Sequence, residues 1–262
     1  MTSIERLSSL RRLEINGGRV VSDTSCKLLL NPTDAGYTDA QLDDYGGSKR
    51  RDYPWRPGTR LDLRARFSHP EDKMLGTAGF GFWNAPFGDP TIRRPALPQA
   101  TWFFFASRPS DLPFPEAGPG RGWFAGTMDV ATPWTCILAP LALPILAMNN
   151  VVSIRRRTWP AIRRRLKISY APVGLSMVEW HQYQLEWQPD GCRFLVDDTL
   201  ILQTDRGPSG PLGFVCWLDN QYLAATPKGR FRWGALPIGQ QQWIEISSLR
   251  LESTIEPPDT RF

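Results

Sequence analysis

Trp217-Leu-Asp-Asn-Gln-Tyr222 places an indole, a carboxylate, two amides and a phenol within six residues. On an extended strand alternate side chains share a face, so Trp217 and Asp219 point the same way. A ring beside a carboxylate and amides suits a small ligand: the ring stacks on an apolar face, while Asp219 and Asn220 take hydroxyls and Tyr222 completes the patch. The same residues also suit a strand-end turn in which Asp219 and Asn220 cap local backbone. If desolvation raised its pKa, Asp219 could act as a general base. Two further groups are acid/base candidates. His181 lies beside Trp180 on an expected strand, where it is either a satisfied sheet residue or a proton donor and acceptor. Asp129 is the acid of the Gly122–Val130 run. Trp83, Asn84 and Trp102 complete the ligand-contact set, and Trp123 and Trp233 serve equally as cleft or core residues.

Metal chemistry has a weaker basis. His69 and His181 are the two histidines and make no zinc spacing. Asn31-Pro-Thr-Asp34, with Asp43 and Asp44, offers oxygen ligands for calcium, but without EF-hand spacing, and a plain turn with solvated acids is the alternative. No other cofactor is expected, because no P-loop or Gly-x-Gly-x-x-Gly helix entry occurs.

The elements that must position these groups are short. The chain has 262 residues, of which 24 are Pro, 22 Gly and 11 Trp, so uninterrupted stretches long enough for helices are few. Arg60 to Phe67 alternates Leu61, Leu63, Ala65 and Phe67 against Asp62, Arg64 and Arg66, the pattern of a half-buried antiparallel strand. Further strands are expected over residues 76–83, 101–106, 122–130, 178–187, 192–197, 199–203, 212–218 and 243–251. Pro189-Asp-Gly191 and Asp197-Asp198 supply the tight turns. Many strands at short spacing indicate a β-sandwich or jelly roll in one domain over residues 1–262, with its core over about 12–252 and mobile ends. The expected C-terminal tail is 253–262.

One segment breaks the pattern. Residues 131–153 carry no charge, and seven of the 31 basic residues then fall within 13 positions: Arg155, Arg156, Arg157, Arg163, Arg164, Arg165 and Lys167. Thr158 can cap and Pro160 can open a short helix that places Trp159 and Ile162 on one side. This insert, 131–171, has two readings. It is a lid over a cleft rim with arginines in water, or a contact with an anionic membrane surface or membrane protein through Leu141, Leu143, Ile145, Trp159 and the six arginines. The +5 net charge comes from this run, so nucleic acid is not the expected partner. Four cysteines without a Cys-x-x-Cys pair and a start without an apolar h-region favour the cytoplasm, with the insert able to touch the inner membrane face.

Trp180-His-Gln-Tyr-Gln-Leu-Glu-Trp187, Pro189-Asp-Gly191 and Cys192-Arg-Phe-Leu-Val-Asp197 together resemble the "WHxYxxEWxPDxxxFxVD" passage of glycoside hydrolase family 16, in the concanavalin A-like lectin/glucanase superfamily. Arg60 to Trp83 is similar to that family's "rFeaRi…g…aFW" strand pair, and the likeness spans roughly Lys27 to Glu252. It implies a jelly roll of two curved antiparallel sheets with a ligand cleft on the concave face. The family's sugar-cleaving members carry ExDxE on one strand, which aligns a nucleophile and an acid/base on one face. No ExDxE occurs in this chain, and Thr101 to Asp111 contains no Glu. The ordinary retaining glycosidase mechanism is therefore not expected.

Three functions remain. The first is a non-hydrolytic protein that holds a sugar-containing or amphiphilic ligand in an aromatic cleft. The second is an enzyme of different chemistry, a cyclase, isomerase or hydratase acting on a hydrophobic substrate, with Asp219 or Asp129 and His181 moving protons. The third is an accessory subunit of a membrane complex.

Overall fold

The computed structural model describes residues 7, 9–34, 36–87, 94–116, 118–138, 144 and 147–253. Leu141, Leu143 and Ile145 lie outside the described residues.

Two seven-stranded antiparallel sheets pack face to face as a jelly-roll β-sandwich. The strands run β1 (Arg11–Ile15), β2 (Gly18–Ser22), β3 (Cys26–Leu30), β4 (Asp39–Asp43), β5 (Thr59–Phe67), β6 (Thr77–Trp83), β7 (Gln99–Ala106) and β8 (Gly122–Asp129). Helices α1 (Pro133–Leu138) and α2 (Val152–Arg165) follow. The chain then forms β9 (Ser169–Pro172), β10 (His181–Gln188), β11 (Gly191–Val196), β12 (Thr199–Thr204), β13 (Gly213–Asp219), β14 (Gln221–Ala225), β15 (Phe231–Ala235) and β16 (Gln242–Ser253). The front sheet has the order β1-β4-β13-β6-β7-β8-β9 and the back sheet β12-β11-β10-β5-β16-β3-β2, while β14 and β15 form a separate hairpin.

Alternation builds the core. Phe80, Phe82, Phe103, Phe105 and Trp123 point inward from the front sheet and meet Tyr183, Leu185, Trp187 and Phe194 from the back. The rings pack edge to face, as Phe103 and Phe194 do at 5.3 Å and 86°. Asp197 and Asp198 hold positive φ in the two-residue turn before β12, where a primed turn matches the twist of its strands. Leu7 and Leu10, expected in a mobile end, are buried in this core. Apolar side chains beside an open sandwich edge are more stable packed than solvated.

The segment between β8 and β9 folds back onto the front sheet. α2 begins at Val152, so Pro160 lies inside the helix and Thr158 is not its cap. Thr158 Oγ1 instead donates to the Asn149 side chain at 2.7 Å and the Ile154 carbonyl at 3.1 Å. Asn149, only 1% exposed, donates to the Pro227 carbonyl at the tip of the β14–β15 hairpin. Trp159 Nε1 donates to the Pro115 carbonyl, and Asp111 pairs by backbone with Leu223 and Ala225. Hydrogen bonds therefore tie the insert, the 111–116 loop and the hairpin into one assembly beside the front sheet. Among the described residues no helix is long and apolar enough to cross a membrane.

Candidate functional site

The outer face of the front sheet is a buried aromatic layer, covered in part by Leu112, Phe114 and Ile168. β7 turns Trp102 and Phe104 outward, β13 turns Trp217 and Val215, β8 turns Phe124, and Tyr45 and Tyr53 pack onto them. This arrangement needs glycine on β6. A Cβ on Gly79 would lie 2.8 Å from Trp217 Cη2, and one on Gly81 would lie 2.7 Å from Trp102 Cβ. The two bare positions let the flanking indoles lean across the strand between them. Trp83 and Trp217 lie parallel, 3° apart in plane with centroids at 6.1 Å, and Trp102 sits 5.6 Å from Trp217.

Polar groups sit along one side of this floor. Register places Asp219 of β13 directly opposite Asp39 of β4 on one flank and Thr77 of β6 on the other. Thr77 Oγ1 donates to Asp219 Oδ1 at 2.8 Å and accepts from Trp217 Nε1 at 3.0 Å. The backbone N–H groups of Thr77 and Gln221 donate to the same carboxylate oxygen. Burial pushes the Asp219 carboxyl up to about 7, against the pull of these donors. Burial and the facing Asp219 raise Asp39 well above the carboxylate range, and the Tyr37 hydroxyl bonded to it opposes the shift. Burial, with Asp219 and Asp39 beside it, also raises Tyr37. Two carboxyls facing each other across adjacent strands resist double ionisation and titrate as a pair. Gln41 and Asp43 continue the row. Asp43 is neutralised by Arg11 at 2.7 Å and accepts from Gln41 Nε2 at 2.8 Å.

Two buried polar atoms on this face have no hydrogen-bond partner among the described residues: Asp39 Oδ1 and Trp102 Nε1. An unsatisfied buried polar atom costs about 1–3 kcal/mol, so each marks a place where a ligand group or water would be stabilising.

The sequence candidates divide sharply. Trp83, Trp102, Trp217 and Asp219 converge here. Asn220 and Asn84 do not offer their amides: Asn220 is fully buried, accepting from Thr38 N–H and donating to the Gly36 and Leu236 carbonyls. Asn84 clamps Leu97 and Gln99 in the same way. Tyr222 packs against Gly234 of its own hairpin. Trp123 is core, and Trp233 is exposed on β15.

His181 belongs to the back sheet, where its ring bonds Asp197 at 2.5 Å and the Ser176 carbonyl at 2.9 Å. It is not joined to Asp219. Asp129, 1% exposed, accepts from Gln99 Nε2, Ser209 N–H and Ser209 Oγ. It anchors a loop and lies off the aromatic floor, because its β8 neighbours Trp123 and Ala125 share its inward-facing parity. The calcium candidates are also dispersed. Asp44 accepts from Trp55 Nε1 and Phe214 N–H, Asp43 is paired as above, and Asn31 bonds Gly17 and Gln241. Among the described residues no three potential ligands gather as a metal group.

The basic run is not one solvated face. Arg163 is 5% exposed and paired with Glu116 at 2.7 Å, and Arg155 donates to the Asn149 carbonyl. Trp159 is buried, so neither it nor Arg163 is presented to a surface. Arg156, Arg157, Arg164 and Arg165 remain exposed. Arg165 lies over the Trp134 ring at 4.0 Å.

The sequence reading missed Asp39, Tyr37 and Gln41, and it placed Asp43 in a calcium loop rather than in this row. The readable signal was Asp39-Ala-Gln-Leu-Asp43, a polar–apolar alternation in which the polar members are buried along with Ala40 and Leu42.

No protein-family model and no curated protein matches the chain. Among solved structures it is similar to a transglycosylase in complex with NAG, at TM-score 0.49 and 10% identity over 97% of this chain and 82% of that one. It is likewise similar to an endo-β-1,4-glucuronan lyase from the fungus Trichoderma reesei, at 0.48 and 10% over 93% and 90%. A third is a Bacillus licheniformis β-glucanase, at 0.46 and 9% over 93% and 92%. Likeness at this level says nothing of activity.

Proposed function

We propose that the outer face of the front sheet is a non-hydrolytic binding site for a sugar-containing or amphiphilic ligand. The observation that carries this reading is the parallel Trp83–Trp217 pair with Trp102, ending at Asp219 and Asp39, where Trp102 Nε1 and Asp39 Oδ1 are buried without a partner among the described residues. Indole faces supply apolar contact at little conformational cost, and the two orphan atoms supply one donor and one acceptor for hydroxyls. The outward positions of β7 are Ala100, Trp102, Phe104 and Ala106, so this strand offers no carboxylate for glycosidic cleavage.

The test is calorimetry and tryptophan emission while neutral oligosaccharides and alkyl glycosides are titrated into the full chain. The expected result is saturable heat and an emission shift, weakened about tenfold or more by Trp83→Leu. No heat and no shift at millimolar ligand overturns the reading.

A second reading rests on the carboxyl pair. With Asp219 at about 7, the Asp39–Asp219 pair is suited to hold and return one proton at neutral pH, as an isomerase or hydratase requires. Ligand turnover abolished by Asp219→Asn with binding retained would select this reading over simple binding.

A further inference from the structure

Helix α2 ends in a Schellman turn: Lys167 N–H donates to the Arg164 carbonyl at 3.2 Å and Ile168 N–H to the Arg163 carbonyl at 2.9 Å. The residue after the cap must be left-handed, and here it is Lys167 at φ +50°. Glycine fills this position without steric cost, whereas lysine does not. The lysine side chain has a destination. Its ammonium donates to the Gly207 carbonyl at 3.1 Å, lies 3.6 Å from Asp129 Oδ2, and lines a pocket of about 540 Å³.

The rest of that pocket is cationic and apolar. Arg164 and Arg165 come from the last turn of α2, Trp134 from α1, and Ser209 from the opposite loop. Asp129 is its one acid among the described residues, and its oxygens already accept from Gln99 and Ser209 as well as facing Lys167. No Asp or Glu occurs between residues 130 and 178, so nothing else in this segment neutralises the three cations. A recess of this size encloses one ligand unit. A flat bilayer or a nucleic-acid backbone would meet the arginines outside it.

The geometry points to a second binding site, separate from the aromatic floor, for a compact organic anion. Its chemistry is a sugar-sized carbon skeleton carrying a carboxylate, sulfate or phosphate ester. The anion lies among Lys167, Arg164 and Arg165, and the skeleton lies against Trp134, Ala131, Pro133 and Ala161. A charged group on Arg and Lys donors gains charge-assisted hydrogen bonds, and the apolar wall discriminates against a bare ion.

The test is calorimetry on the full chain with glucuronate, glucose 6-sulfate and glucose 6-phosphate, with glucose, inorganic phosphate and phosphatidylserine vesicles alongside. The expected result is saturable binding of the three sugar anions, weaker binding of phosphate and none of glucose. Lys167→Gly and Arg164→Ser should each weaken the sugar anions by about tenfold. Lys167→Gly should leave the far-ultraviolet circular dichroism unchanged, since glycine suits its backbone better. Trp83→Leu should leave this binding untouched, which separates the pocket from the proposal above. The inference is overturned by equal binding of glucose and its acids, by phosphate binding as tightly as the sugar anions, by binding to vesicles alone, or by affinity indifferent to both pocket variants.

Discussion

The two sheets turn opposite kinds of surface outward. The back sheet carries a ladder of charges: Arg60 with Asp62, Arg193 with Glu186, Arg66 and Lys27 with Glu245. Arg64 and Arg66 both lie 4.8 Å over Trp180. The front sheet carries indoles, phenyl rings and a pair of buried carboxyls. Both faces come from similarly long antiparallel strands, so strand geometry does not decide which one is built to hold something. Solvated ion pairs satisfy one another and contribute little individually. On the front sheet the polar groups are buried, Asp219 faces Asp39, and Trp102 Nε1 and Asp39 Oδ1 have no partner among the described residues. Buried polar groups are normally satisfied, so these two atoms set the front face apart from the ion-paired back face.

The largest effect that would sharpen this contrast is expected from Trp217→Ala. It removes packing against Trp83, Trp102 and Phe104 together with the bond to Thr77, and should cost about 3–5 kcal/mol in denaturant unfolding. A loss below 1 kcal/mol would mean that the floor is loosely packed.

Next is the pH dependence. Asp219 is raised from 3.8 to about 7. Between these values the unfolded chain releases a proton that the folded chain keeps, so stability falls as pH rises through this window. The size is up to about 4 kcal/mol. Asp219→Asn should flatten that slope and raise Tm at pH 8. An unchanged slope between pH 4 and 7 would remove Asp219 as its source. The back sheet should show the opposite sign. Burial pushes Glu245 up, but the Ser25 and Arg66 hydrogen bonds outweigh it and hold its carboxyl below the usual range. Its contribution is therefore present above the ordinary glutamate pKa and is lost as pH falls through the depressed folded value.

Gly79→Ala should cost about 1–3 kcal/mol through the clash with Trp217 and the Phe103 backbone, seen as a lower denaturation midpoint. The smallest effect is expected from Arg64→Ala on the back sheet, about 0.5–1 kcal/mol through its Trp180 contact. If Arg64→Ala cost more than Gly79→Ala, the ranking of the two faces would be reversed.

The same contrast explains what could be read in advance. Leu61, Leu63, Ala65 and Phe67 against Asp62, Arg64 and Arg66 announce β5 because that face is solvated and follows the ordinary rule. β4 shows the same alternation, yet both of its faces are buried. Asp39, Gln41 and Asp43 are buried because Arg11 and Asp219 reach them from strands distant in sequence. Local composition cannot report a cross-strand partner, so Asp39 was invisible while Trp217 and Asp219 stood out as neighbours. Asn220 and Asn84 were ambiguous for the reverse reason. An amide offers the same donors and acceptor whether it meets a ligand or a carbonyl of its own chain, and here backbone groups hold both. The strands of the first forty residues and the β14–β15 hairpin, each five residues long, are too short for periodicity to declare them.

The near-parallel alignment of Trp83 and Trp217 has an optical consequence. Two indole chromophores with centroids 6.1 Å apart couple their excited states, so removing either ring should change the near-ultraviolet absorption and emission by more than the loss of one isolated tryptophan. A molecule settling on those rings would change their surroundings and hence that coupled signal. The floor thus carries its own label, and occupancy can be followed without attaching a dye or knowing in advance what binds.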